Sequence, residues 1–119
     1  MRDISEALLG IEKIKIRFLA LLEERQGVIA HHALAAWEST DPNEVRSHLN
    51  AAQNILHQIA GSAGSLGFDS LGQVARDCEN EIIAHLEGPD GKSTPLPFEI
   101  IGRMDAFVSM SQALLTEGA

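Results

Sequence analysis

PNEVRSHLNAAQNILHQIAGSAGSLGF, residues 42–68, carries an apolar helical period along most of its length. Val45, Leu49, Ala52, Leu56, Ile59, Ala63 and Leu66 recur at alternating steps of four and three, which puts them on one face of an α-helix, with Ile55 widening the flank. Asp41 stands before the stretch as an N-cap, Pro42 suits the first helical position, and Glu44 completes a pattern like a capping box. Gly67 supplies the left-handed residue that often ends a helix. The stretch predicts a helix from Pro42 to about Leu66.

The rest of the chain follows the same period. Upstream, Leu8, Ile11, Ile14, Phe18, Leu22, Ile29, Ala33, Leu34 and Trp37 keep helical spacing from about Ile4 to Trp37. Gly10 and Gly27 are the candidate breaks, which predicts a short N-terminal helix ahead of a longer one. Downstream, Asp69 or Ser70 would cap a third helix carrying Leu71, Val74, Cys78, Ile82 and Leu86. GPDGKSTPLP, residues 88–97, is the one clear loop. A last helix from about Pro97 places Ile100, Met104, Phe107, Val108, Leu114 and Leu115 on its apolar side. Short connections between long helices predict an all-α protein, an antiparallel four-helix bundle in a single domain spanning residues 1–119.

Composition agrees and excludes several classes. Apolar residues make up 45% of the 119 residues, enough for one core, while aromatics are 4%, there is no tyrosine, and no stretch alternates as a strand would. The net charge of −8 argues against nucleic acid and against anionic membrane surfaces, both of which select basic patches. The lone Cys78 allows no internal disulfide and no multi-cysteine metal site. No segment has the form of a signal peptide or the length of a membrane span, so the expected location is cytoplasmic. Met1 and the full helix set predict a free-standing chain, most simply a monomer.

His57 stands out on this helix. It lies roughly 130° from the centre of the apolar stripe, beside Asn50, Gln53, Asn54, Ala60, Gly61 and Gly64, all polar or small. Most lone helical histidines are plain surface or core residues. A plain solvent-facing helix surface, however, is filled with Glu, Lys, Gln and Ala, because each helical glycine costs roughly 1 kcal/mol relative to alanine. A cleared face suits a bulky group carried on the ring, or close approach of another protein to it. Neutral imidazole is a competent nucleophile near neutral pH.

Other candidates are weaker. His31 and His32 are adjacent and point about 100° apart on a helix, a poor chelating pair, and the chain has no His-x3-His or Glu-x-x-His spacing, so no metal site is expected. His48 falls near the apolar side of its helix, and His85 is taken as structural or solvated. GSAGSLGF lacks the Gly-Lys-Ser/Thr ending of a phosphate-binding loop. Cys78 sits on an apolar stripe without basic neighbours to activate it, and Ser62, Ser65 and Ser70 lack the turn context of a hydrolase nucleophile.

HQIAGSAGSLGFDSL resembles the signature of the histidine-containing phosphotransfer (HPt) domain of two-component phosphorelays, with His57, Gly61, Ser62, Ala63, Leu66, Gly67, Leu71 and Glu79 at matching spacings. FLALLEERQ, residues 18–26, and the Asp41-Pro42 helix start look like the preceding part of the same pattern, so the resemblance covers about residues 11 to 116. It implies a four-helix bundle whose His57 takes a phosphoryl group at Nε2 from a receiver-domain aspartate and passes it to another. Such a module is a stoichiometric carrier without an ATP site and not an enzyme. It binds no cofactor or metal of its own, and Mg2+ belongs to the partner receiver. Partners would be response-regulator receiver domains or a hybrid histidine kinase.

On the same resemblance, Nδ1–H of His57 needs an acceptor that sets the tautomer, and Gly61 makes room for phosphoryl oxygens. Ala60 and Gly64 let a receiver approach, and Asn50, Gln53 and Asn54 lie in or beside the docking surface. The chain departs from the family in two places. The lysine usual three residues after the histidine is Ala60, leaving Lys13, Lys15, Arg17, Arg25 and Arg76 on flanking helices as candidate substitutes, and Cys78 replaces a leucine. The Ala60 departure keeps a different class in view, an HPt-like docking or inhibitory protein that binds a receiver or kinase without taking phosphate.

Overall fold

The computed structural model describes residues 4–88 and 97–117, in which four helices are formed: α1 (Ile4–Glu38), α2 (Pro42–Ser65), α3 (Asp69–Glu87) and α4 (Pro97–Thr116). Each helix packs on two others, α1 on α2 and α4, α3 on α2 and α4, so the bundle closes as a ring. Neighbours run antiparallel. On the α2–α3 seam the partners are Ala63 with Gly72, His57 with Glu79, and Arg46 with Leu86, numbers that fall on one helix as they rise on the other. The core is largely the periodic set expected from sequence: Leu49, Ala52, Leu56, Ile59 and Ala63 from α2 meet Leu71, Cys78 and Ile82 from α3, Phe18, Leu22, Ile29 and Ala33 from α1, and Ile100, Met104, Phe107 and Val108 from α4. Ala75 joins it unexpectedly, while Val45, Leu66, Val74, Leu86, Leu114 and Leu115 are only partly buried. Most of the predicted loop at 88–97 lies outside the described residues. Among those described, no helix is long and apolar enough to cross a membrane.

The caps show how local chemistry aims these helices. The Asp41 carboxylate accepts from Asn43 N–H at 2.9 Å, as an N-cap should. Glu44 does not close the box onto the Asp41 N–H directly; Ser39 Oγ relays between them, accepting from that N–H at 3.1 Å and donating to Glu44 Oε2 at 2.8 Å. At the other end Gly67 takes φ +87°, Phe68 N–H reaches Ala63 O at 2.9 Å and Gly67 N–H reaches Gly64 O at 3.3 Å, the paired bonds of a Schellman ending. Phe68 then stacks on Phe18, ring centroids 5.2 Å apart, which pins the turn to α1.

Three expectations are corrected. Residues 4–38 form one continuous helix, with no separate N-terminal helix, because Gly10 and Gly27 are single glycines whose cost of roughly 1 kcal/mol each is too small to break a 35-residue helix. Ile11, Ile14, Leu34 and Trp37 keep the helical period but are exposed. Ile11 and Ile14 precede Phe18, where the buried face of α1 begins among the described residues. At the other end that face runs through Ala33 and Ala36, which leaves Leu34 and Trp37 about 100° to its side. Neither Asp69 nor Ser70 caps α3: the cap position is Phe68, which makes no side-chain capping bond, since the Schellman turn delivers the chain straight into the helix. Asp69 instead sits in the first turn, where its charge favours the helix dipole.

Candidate functional site

His57 projects from the α2–α3 seam with 73% of its side chain exposed. The period that buries Leu56 and Ile59 turns position 57 outward, as the wheel requires. From α3, Glu79 reaches across and its Oε2 lies 2.8 Å from His57 Nδ1. Glu79 is buried to 7% exposure on an otherwise apolar helix face, among Leu71, Ala75, Cys78 and Ile82. An ionised carboxylate only accepts hydrogen bonds, so Nδ1 carries the proton and donates it to Glu79. Nε2 then holds the lone pair on the exposed side of the ring, the state in which an imidazole is a nucleophile.

The ground beside the ring is open. A Cβ built on Gly61 or on Gly64 would meet nothing within 4 Å, so the packing of the fold itself does not call for either glycine. Gly72 differs: it is buried on α3 facing α2, and a Cβ there would stand in van der Waals contact, 3.4 Å from Ala63 Cβ and from Gly64 N. A shallow concavity at the site is lined by His57, Ala60, Gly61, Arg76, Glu79 and Asn80. Of the five basic residues named as substitutes for the missing lysine, only Arg76 belongs to this lining.

Other predicted site residues divide. Asn50 and Asn54 are exposed on α2. Gln53 is half-buried and turned inward, its Nε2 donating to Glu79 Oε2 at 3.0 Å. Ala60 is 5% exposed and belongs to the core cluster, so it is a floor of the concavity and not part of an open face. It is covered on the side of α2 that faces α3, where its carbonyl oxygen lies 3.7 Å from the position of a Cβ on Gly72. Glu79 was matched to the family pattern from sequence but not paired with His57; the only signals were a carboxylate on a buried helix face and a ring nitrogen in need of an acceptor.

The remaining titratable groups have other settings. His32 Nδ1 and His48 Nδ1 are 2.9 Å apart across α1 and α2, and the His31 ring packs on both, at centroid distances of 5.4 Å and 6.2 Å. Burial, then the neighbouring His48 and His31, hold His32 below the usual histidine range. Burial, followed by the charge of Glu81, pushes the Cys78 thiol up to about 12, so it packs as a small apolar residue.

An exposed imidazole, its inner nitrogen held by a buried carboxylate and its outer nitrogen turned to a face free of side chains, defines a class of arrangement: a helical bundle with a nucleophilic ring accessible from outside. A family model described as Hpt domain matches residues 13–114, and the chain belongs to that family. Membership makes it a phosphocarrier module of two-component phosphotransfer, acting with receiver domains or kinases. Comparison with curated proteins and with solved structures finds no match.

Proposed function

We propose that His57 is the phosphoryl acceptor, taking the group from the aspartyl phosphate of one receiver domain and passing it to the aspartate of another. The observation that carries this reading is the ring itself, 73% exposed with Nδ1 held at 2.8 Å by Glu79. The Nε2 lone pair attacks phosphorus, the N–P bond forms, and the P–O bond to the donor aspartate breaks with its electrons returning to the carboxylate. The ring becomes an imidazolium with Nδ1–H still in place, and the Glu79 carboxylate balances that charge. Transfer onward reverses each step, so no proton leaves or arrives. Receiver Mg2+ and its acidic pocket supply the rest of the chemistry.

Gly61 and Gly64 support the reading because the fold does not need them, and a partner's active site does. Arg76 lies where a guanidinium can meet phosphoryl oxygens and so takes the part of the absent lysine. Residues around His57, among them Gly61, Gly64 and Asn54, form the receiver-docking face.

The test is incubation with a labelled phospho-receiver. Wild type should acquire acid-labile, alkali-stable label, and His57→Gln should acquire none while keeping its helical circular dichroism. Label on His57→Gln would overturn the assignment. Tight receiver binding without label on wild type would make the protein a docking or inhibitory one instead.

A further inference from the structure

Glu79 Oε2 accepts two hydrogen bonds, from His57 Nδ1 at 2.8 Å and from Gln53 Nε2 at 3.0 Å. Gln53 lies one turn before His57 on α2, so the two side chains flank the same carboxylate from one helix while Glu79 arrives from the other. A carboxylate this deeply buried is costly unless it is hydrogen-bonded, and no lysine or arginine pairs with Glu79 among the described residues. We infer that Gln53 is a positioning residue for phosphotransfer: its amide locks Glu79 against His57 Nδ1 and thereby keeps the ring in the tautomer that can attack. The inference rests on His57 being the acceptor and assigns Gln53 a role other than docking.

The physical argument has two parts. A free neutral imidazole in water favours the Nε2–H tautomer, in which the outer nitrogen has no lone pair to offer. The Glu79 bond reverses that preference only while the carboxylate stays fixed, and a single donor leaves it free to swing about its own side-chain torsions toward water. The second donor removes that freedom. Gln53 is also neutral. A lysine or arginine in its place would hold Glu79 equally well but would neutralise it, and the imidazolium formed on phosphorylation would lose its counter-charge. A neutral donor fixes the geometry and leaves the charge for the ring.

The experiment measures His57 ring nitrogen shifts by long-range 1H–15N NMR on the full, unphosphorylated chain at pH 8, for wild type, Gln53→Leu and Gln53→Ala. Wild type should show the Nδ1–H pattern, and both variants should move toward Nε2–H. Phosphoryl uptake from a labelled receiver should fall about tenfold, the size typical when a partner that orients a reacting ring is removed, while receiver affinity stays the same. Wild-type ring shifts in both variants would overturn the inference. So would a loss of receiver affinity with the tautomer unchanged, which would return Gln53 to the docking surface. The ring shifts do not depend on phosphoryl uptake, so a failure of His57 as the acceptor shows in the labelling of His57→Gln and leaves this readout standing.

Discussion

Two histidine sites on α2, little more than two turns apart, have opposite designs. His57 is exposed, and its inner nitrogen meets a buried carboxylate at 2.8 Å. His48 is half-buried, and its Nδ1 meets a second imidazole, His32, at 2.9 Å. A carboxylate balances positive charge on the ring it holds. A second imidazole can only accept or donate a neutral hydrogen bond, and it repels charge on its partner. The first arrangement suits a ring that must become cationic when it carries a phosphoryl group. The second suits a ring that stays neutral and packs. On the proposed function, the residue opposite the ring, more than the histidine itself, separates the two sites.

The comparison breaks most directly at Gly61. A side chain there meets nothing in the free protein, so Gly61→Leu should fold with a raised urea midpoint, as removal of a helical glycine requires, yet lose phosphotransfer on the order of 100-fold by displacing the reacting groups. A Gly61→Leu protein that transfers normally would mean the cleared face serves no partner. The next effect in size is expected at Arg76. Arg76→Ala should slow transfer about tenfold, the worth of one charge-assisted hydrogen bond to a phosphoryl oxygen, and Ala60→Lys in that background should recover part of it. Failure of both would leave the phosphoryl charge balanced by the receiver alone.

The smallest effect sharpens the other site. His32 is held below its unfolded pKa of about 6.5, so the unfolded chain binds more protons as pH falls through that value. Stability contributed by His32 in its neutral form is therefore present above about pH 6.5 and is lost as pH drops toward the folded value. Urea midpoints should decline from pH 7.5 to pH 5.5, and His32→Gln should flatten that slope. An equal slope in the variant would place the sensitivity elsewhere.

Much of this was legible in the linear chain. The four-three spacing of α2 named Leu49, Ala52, Leu56, Ile59 and Ala63 as buried, missing only Ala60, and the same arithmetic turned His57 outward, because helix geometry is local and repeats every 3.6 residues. The N-cap at Asp41 and the left-handed Gly67 were readable for the same reason, since both satisfy backbone groups within a few residues. The exposed Ile11, Ile14, Leu34 and Trp37 mark where that reasoning stops: periodicity says which face is apolar and not whether a neighbour exists to cover it.

By itself the sequence determined the all-helical class, the apolar stripe of α2 and the outward direction of His57. What only the tertiary structure decided was the company that histidine keeps. Glu79 is 22 residues away, Gln53 turns inward instead of facing a partner, Ala60 lies under α3, and Arg76 alone among the basic candidates comes to the site. Each of these depends on how α3 seats against α2, and the packing of two helices is not written in the period of either.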